Sequence, residues 1–191
     1  YIEALADSVR RHWAEHGRGE KLLMSFHGIP QRYFNNGDPY HCHCHGTAAR
    51  LATLLDLPAT AWQLSFQSRV GREPWLRPYT DETVQSLAKA GIRQLDVICP
   101  GFSVDCLETL EEIRGENAEL FVDAGGRELR YIPCLNADAA HADLLGTLAL
   151  ECSAGWPEAD PSFDPGTEAV RRNAAYRALK GTDQRGARAN S

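Results

Sequence analysis

Apolar and polar positions follow two different periods along this chain, and the two periods predict helices and strands in alternation. Residues 1–16 carry apolar side chains at helical spacing, which predicts an amphipathic helix. Residues 21–26 are almost wholly apolar and lie between glycines, as is typical of a buried strand. Helical spacing returns from residue 48, and strict alternation over residues 62–67 predicts a strand with two different faces.

The same alternation continues through the second half of the chain. The predicted elements are a helix capped by Thr80 that ends before Gly91, a strand at 94–99, a helix from Asp105, a strand at 128–132, and a helix at 138–150 with Leu144, Leu145 and Leu148 on its apolar side. Strand and helix therefore alternate four times. This order predicts an α/β domain of the doubly wound, Rossmann-like class, with a parallel sheet covered by helices on both faces.

Composition changes after residue 152, and this predicts a domain boundary. We expect residues 1–152 to form one α/β domain and residues 153–191 to form a polar, flexible tail, with a short helix at 169–179 that nothing obliges to pack. The first residue is Tyr1, inside a predicted helix. We therefore expect the chain to be a fragment of a longer protein.

Composition also limits the classes of protein to which this chain can belong. Hydrophobic residues make up 43% of the 191 residues and charged residues 24%, which is ordinary for a globular domain. A net charge of −6 without a basic block argues against a nucleic-acid partner. The chain has no apolar run of about 18 to 20 residues and no signal-peptide pattern. Six cysteines without framework spacing favour a reducing compartment, so we predict a cytoplasmic protein.

A single histidine stands at the end of the first predicted strand. Gly28 and Pro30 turn the backbone directly after His27. The imidazole can be held there by a backbone hydrogen bond, or it can act as a metal ligand or proton acceptor near neutral pH. The local sequence leaves both interpretations open.

A cluster of carboxylates follows the third predicted strand. Asp105, Glu108 and Glu112 share one face of a helix by their spacing, and Glu111 lies beside them. One interpretation is a solvated acidic face. The other is that the preceding Pro-Gly turn aims these groups into the crevice at the carboxyl ends of the strands, where His27 also lies. Crowded carboxylates there would raise one another's proton affinity and attract a cation.

Two further segments have a functional and a structural interpretation. In residues 67–76, Ser68 and Arg69 can donate to a carboxylate and Trp75 can support a planar ligand, or Trp75 can simply anchor the loop. The run 41–45 reads HCHCH, which suits zinc, iron or a cluster, or a solvated helix. Its candidate ligands are His41, Cys42, Cys44 and His45.

Four motifs, taken in order, resemble the ferrochelatase family in its proteobacterial form. They are SFHGIP at 25–30, GDPY at 37–40, FQSRVGREPW at 66–75 and CPGFSVDCLETLEE at 99–112. The resemblance covers about residues 1–150. It implies a Rossmann-like chelatase that inserts ferrous iron into protoporphyrin IX, releases two protons and forms protohaem, with the amino-terminal half of the enzyme absent from this chain.

The resemblance also implies roles for particular residues. His27 and Glu108 match the metal-site residues across the porphyrin cleft, and Trp75 and Phe102 match positions that line it. A π-helical distortion is implied over residues 105–112. Protons would leave through His27 and then through Glu108 and the carboxylates of Asp105, Glu111 and Glu112. Iron is then a substrate, and no resident cofactor is required.

The sequence departs from the family pattern at two points, and alternatives stay open there. Cys106 stands where animal and yeast enzymes commonly have a second histidine. The carboxyl-terminal cysteines that hold a [2Fe–2S] cluster in some relatives are lacking, so a cluster would have to use the 41–45 run. The alternatives are a coproporphyrin or cobalt chelatase of the same fold, and a non-catalytic metal- or haem-binding module built on 41–45. Peripheral membrane contact is compatible with each of them.

Overall fold

Four parallel strands form the central sheet of the computed structural model, which describes residues 1–188. The strands are β1 (Lys21–His27), β2 (Trp62–Gln67), β3 (Gln94–Ile98) and β4 (Glu128–Ile132), and their spatial order is β2-β1-β3-β4. The chain passes from β1 to β2 on one side and then returns to β3 on the other. The sheet therefore has its topological switch point between β1 and β3, where open α/β sheets bind their ligands.

The helices before residue 139 connect the strands and cover the sheet, and further helices follow along the chain. They are α1 (Ile2–His16), α2 (Gln31–Asn35), α3 (Tyr40–Leu54), α4 (Thr80–Lys89), α5 (Leu107–Thr109), a π-helix (Leu110–Asn117), α6 (Ala118–Asp123), α7 (Ala139–Cys152) and α8 (Pro165–Arg188). Short 3₁₀ turns lie at Ala59–Ala61 and Pro157–Ala159. The doubly wound α/β class predicted from the alternation of elements is confirmed.

The two faces of the sheet carry two separate cores because successive side chains of a strand point in opposite directions. One face packs Leu22, Met24 and Phe26 of β1 against α1 and α3. The other packs Leu23 with α4, the π-helix and α6. Near the middle of β3, the buried carboxylate of Asp96 pairs with Arg130 at 2.8 Å and accepts hydrogen bonds from Trp13 and Gly19.

Several local expectations from the sequence differ from the structure. Alternation predicts two different faces for β2, and the polar one is buried at Ser65 and Gln67, which have hydrogen-bond partners of their own. Thr80 is the first residue of α4 and not its cap, since its buried hydroxyl bonds to Ser25 and Ser65. On α7, Leu145 and Leu148 are 50% and 45% exposed and form no buried stripe.

The described part of the chain divides into two compact units, Tyr1–Asp143 and the residues from Leu144 onward. The sheet and its helices belong to the first unit. The second contains α8, which is much longer than the short helix expected at 169–179, and ion pairs link Arg172 to Glu158 and Glu168. Among residues 1–188, no helix combines the length and apolar character that crossing a bilayer requires.

Candidate active site

A cavity of about 640 Å³ opens at the carboxyl ends of the strands in the first unit. Its lining comes from β1, from the loop after β2 and from the helical segment after β3, namely His27, Ser68, Arg69, Val70, Trp75, Leu107, Glu108, Glu111, Glu112 and Glu116. A second cavity, of about 660 Å³, lies between α1 and α3 and is mainly apolar. The first cavity is the candidate site because it gathers an imidazole and four carboxylates at the sheet's ligand-binding edge.

His27 is held in a defined orientation at the end of β1. Its Nδ1 atom lies 2.6 Å from the carbonyl oxygen of Gly28, and the Tyr40 hydroxyl donates to the His27 carbonyl at 2.8 Å. A carbonyl oxygen only accepts, so Nδ1 carries the proton of the neutral ring and Nε2 keeps its lone pair. The rings of Trp75 and Phe102 flank the imidazole, with centroids 6.4 Å and 6.1 Å away. The interpretation in which a backbone hydrogen bond holds His27 agrees with this geometry, and the role of Nε2 as a metal ligand or proton acceptor stays a prediction.

The acidic wall of the cavity is a distorted helix. Three α-helical residues from Leu107 are followed by eight π-helical residues, Leu110–Asn117. The wider π turn shifts side chains relative to α-helical spacing, and such segments are frequent at functional sites. A π-helix was implied by resemblance over residues 105–112, and it lies a few residues further along the chain.

Glu108 faces the cavity in its ionised form. A hydrogen bond from the Cys106 side chain, then its own backbone N–H, and then the nearby His27 lower the pKa of Glu108. His27 and Glu108 both line the cavity, so the imidazole and this carboxylate border the same space. The structure thus brings together the two residues, eighty-one positions apart, on which the resemblance depends.

Gln67 ties the end of β2 to the acidic wall. Its buried side chain donates from Nε2 to the Glu108 carbonyl at 2.6 Å, and its Oε1 accepts from the Ser25 hydroxyl at 2.7 Å. Ser25 is in turn bonded to Thr80 at 2.9 Å. This buried chain fixes the first turn of the acidic helix relative to the strand that carries His27.

The side chains of the loop after β2 form hydrogen bonds and an ion pair with other residues of the protein. The Ser68 N–H and hydroxyl donate to the two oxygens of the Glu112 carboxylate, at 2.7 Å and 2.6 Å. Ser68 adopts a left-handed backbone with φ of 63°, which the two hydrogen bonds to Glu112 hold in place. Arg69 pairs with Asp81 at 2.6 Å. Trp75 donates to the Val70 carbonyl at 3.0 Å, and this bond anchors the loop.

Two residues predicted for the site lie outside the cavity lining. The Asp105 carboxylate accepts hydrogen bonds from Tyr131, the Cys134 N–H and Asn136, so it joins the β3 and β4 loops. Burial opposes its ionisation, but these hydrogen bonds outweigh it and lower the pKa of Asp105. The part of the predicted proton path that used Asp105 has no support in this geometry. Phe102 contacts His27 from behind rather than lining the cavity.

The HCHCH run forms the first two turns of α3, away from the cavity lining. Cys42 is exposed and Cys44 is buried, and burial raises the pKa of the Cys44 thiol to about 11. The two thiols do not share a face of the helix. His41 and His45 do, with ring centroids 4.4 Å apart. Within residues 1–188, no group of three or more His, Cys, Asp or Glu side chains is arranged to hold a metal ion.

Sequence reasoning missed two residues of the site. Gln67 is predicted at the end of a strand and the start of a loop, but the sequence assigns it no separate role in the site; a polar residue on a strand next to buried positions is the available signal. Glu116 lines the cavity and extends the acidic series of Glu108 and Glu112 at four-residue spacing. Residues four apart do not project at the same angle around an α-helix, and the wider turn of the π-helix changes the angle between them.

Comparison with known proteins agrees with these motifs. The family model for ferrochelatase matches residues 1–152. Ferrochelatases of Thioalkalivibrio sulfidiphilus, Nitrosococcus oceani and Aeromonas hydrophila are 57%, 58% and 60% identical over 86%, 84% and 78% of this chain. The aligned region is 44%, 44% and 46% of those relatives, so the chain spans somewhat less than half of their length.

Proposed function

This chain belongs to the ferrochelatase family, and we propose that it supplies catalytic residues of an enzyme, a lyase, that inserts ferrous iron into protoporphyrin IX to form protohaem. The observation that carries the proposal is the convergence of His27 and Glu108 on one cavity beside Trp75. Iron is the substrate in this scheme, so the pair has to bind it briefly and release it to the pyrrole nitrogens.

The proposed metal pair suits that task. One imidazole and one carboxylate leave most coordination positions of Fe²⁺ to water, so the ion is held without being trapped as it would be by a closed set of thiolates. The free Nε2 of His27 can meet the metal or accept a pyrrole proton. The lowered pKa of Glu108 keeps that carboxylate charged near neutral pH, which favours a cation opposite His27.

The proposed exit for the two pyrrole protons runs along the acidic wall. Glu111 and Glu116 line the cavity and are exposed, so they can pass protons to water. Glu112 is bonded to Ser68 through both oxygens, and we assign it a positioning role beside that path. Asp105, predicted as part of the path, is assigned to the support of the loops instead.

The macrocycle is proposed to lie against Trp75, between the imidazole and the carboxylate. Trp75 offers a flat surface whose orientation is fixed by its hydrogen bond to Val70. Contact along the macrocycle supplies binding energy that can bend it and expose the nitrogen lone pairs to the metal. Phe102 supports the other side of His27, and Arg69 lies at the cavity wall with its charge already paired by Asp81.

The rim of the cavity supports the prediction of peripheral membrane contact. Val70 and Leu107 line the cavity and are 72% and 71% exposed, so their apolar side chains face outward where an apolar substrate would enter. We propose this rim as the point of contact. The cytoplasmic location and the absence of a nucleic-acid partner remain predictions, as does the [2Fe–2S] cluster.

The test is iron insertion by the whole protein carrying His27→Ala or Glu108→Gln. Each change is expected to lower turnover by about 10² or more, because it removes a metal ligand or proton acceptor, while porphyrin binding changes only a few-fold. Glu119→Gln, an exposed carboxylate on α6, is the matched control and should leave turnover unchanged. Normal turnover in His27→Ala would overturn the proposal.

Substrate choice needs a separate measurement. Turnover of the unaltered protein with protoporphyrin IX and with coproporphyrin, each offered Fe²⁺ and then Co²⁺, distinguishes the alternatives that share this fold. We expect the highest kcat/KM with protoporphyrin IX and Fe²⁺. A preference for coproporphyrin or Co²⁺ would keep the fold and the metal pair but replace the proposed substrate.

A further inference from the structure

Two imidazoles lie side by side on one face of α3, outside the cavity already described; His41 is half-buried and His45 is exposed. His41 and His45 are one helical turn apart, and their ring centroids are 4.4 Å apart with an interplanar angle of 49°. Two histidines at this spacing on one helix face form a recurrent zinc-binding arrangement. His43 lies between them in sequence but projects from another side of the helix.

The orientation of one ring of the pair, His41, is fixed by its neighbours before any ligand binds. The His41 ring stacks on Phe66 of β2, with centroids 5.7 Å apart and planes inclined by 22°, and its other neighbour is Phe34 at 4.8 Å. A ring held in this way loses little conformational entropy when it binds a metal. His45 is exposed and free to adjust toward it.

The separation of the rings fits a bound metal. A zinc ion about 2.0–2.1 Å from each ligating nitrogen lies about 3.2 Å from each ring centroid. Ligand angles of about 90° to 109° then place the centroids roughly 4.5 to 5.2 Å apart. The observed 4.4 Å is just below that range, so a small rotation of the exposed His45 is sufficient.

We propose that His41 and His45 form an accessory site for a borderline first-row divalent cation, such as Zn²⁺ or Fe²⁺, completed by water. Imidazole nitrogens suit these ions, whereas Mg²⁺ and Ca²⁺ prefer oxygen. Cys44 is not a ligand, because it is buried in the core on another side of α3. The exposed Cys42 does not form a three-ligand group with the two imidazoles in the described part of the chain. The proposal does not depend on the proposed function of the cavity.

The electrostatic setting makes this an open, exchangeable site rather than a structural one. The amino terminus of a helix disfavours a cation. Asp38 partly offsets this, since its carboxylate accepts a hydrogen bond from the Tyr40 N–H at 2.8 Å and adds negative charge at the start of α3. With two protein ligands and no third among residues 1–188, the ion keeps several coordinated waters.

The experiment is calorimetric titration of Zn²⁺ into the whole protein without an affinity tag and carrying His27→Ala, which removes the imidazole of the cavity. We expect one zinc equivalent to bind. Adding His45→Gln should weaken this binding at least tenfold, because a direct ligand should cost no less than the roughly 10–100-fold seen for residues that only support a metal ligand. His45 is exposed and outside the core, so this change should preserve the fold.

His43→Gln is the matched control, since it removes an exposed imidazole from the same helix but not from the pair. Zinc affinity should stay within twofold of the parent protein in that variant. His41→Gln should weaken binding as His45→Gln does, with folding checked by a thermal melt because His41 contacts Phe66. Equal losses in His43→Gln and His45→Gln, or no loss in His45→Gln, would overturn the proposal and leave adventitious binding by surface histidines.

Discussion

Replacing Gln67 with leucine tests whether the end of β2 holds the acidic wall in position. Leucine has a similar size and fills the buried space, but it removes every hydrogen bond of the side chain. The two closest partners are the Glu108 carbonyl, which now accepts at 2.6 Å, and the Ser25 hydroxyl, which now donates at 2.7 Å. Weaker hydrogen bonds of 3.4 Å join the same side chain to Ser68, Glu112 and Cys99. The change therefore isolates the polar link from the packing.

The expected loss in the free energy of unfolding depends on which hydrogen bonds each partner of Gln67 keeps. The Glu108 carbonyl loses a partner in a partly buried position, which costs about 1–3 kcal/mol. The Ser25 hydroxyl keeps its hydrogen bond to Thr80 and loses only a net contribution of about 0.5–1.5 kcal/mol. The free energy of unfolding should fall by about 2–4 kcal/mol in total, out of the roughly 5–15 kcal/mol that is typical of folded proteins.

Urea unfolding of the whole protein measures this loss, and iron insertion measures its consequence. With a slope of about 2 kcal/mol per molar urea, the midpoint should fall by roughly 1–2 M. A displaced Glu108 should also lower kcat by about tenfold to a hundredfold. The control is Gln63→Leu, on the same face of β2 at its other end, where less than 0.5 kcal/mol is expected. Equal unfolding midpoints for Gln67→Leu and the unaltered protein would refute the reasoning.

Three further predictions concern stability. Asp96→Asn leaves the buried Arg130 without its counter-charge, so the free energy of unfolding in urea should fall by about 3–5 kcal/mol, and a loss below about 1 kcal/mol would contradict this. Because hydrogen bonds lower the pKa of Asp105, its stabilising contribution is present above its ordinary value of 3.8 and is lost as pH falls below it. Unfolding measured between about pH 6 and pH 2.5 should thus show a shallower acid decline in Asp105→Asn, and identical slopes would contradict this. Gly126→Ala would place a Cβ atom 2.3 Å from the buried ring of Phe121, costing about 1–3 kcal/mol of unfolding free energy in urea, whereas Gly46→Ala, with nothing within 4 Å, should be neutral or stabilising.

Most elements could be predicted from the chain because their signals are local. Strand β4 has the predicted bounds, since Gly126 and Pro133 lie on either side of a short run that contains Leu129, Tyr131 and Ile132. The position of His27 at a strand end follows from the same kind of signal, a turn after an apolar run. Parallel strands have their carboxyl ends at the same edge of the sheet. The proximity of His27 to the segment after β3 could therefore also be predicted.

The remaining features depend on which side chain meets which in three dimensions. The burial of Gln67 could not be predicted from alternation, because alternation assigns polar residues of a strand to solvent unless a helix covers that face. The role of Asp105 as a support for the loops depends on Asn136 and Tyr131, which are distant in sequence. The π-helix was implied by resemblance, since no spacing of residues 107–117 specifies a wider turn.

The central claim is that iron passes between His27 and Glu108. Anomalous diffraction at the iron edge, from crystals of the whole protein grown with protohaem, tests it most directly. The account predicts one iron peak inside the cavity, between the His27 imidazole and the Glu108 carboxylate, with the macrocycle against Trp75. An iron peak outside this cavity, with both side chains free of the macrocycle, would contradict the account.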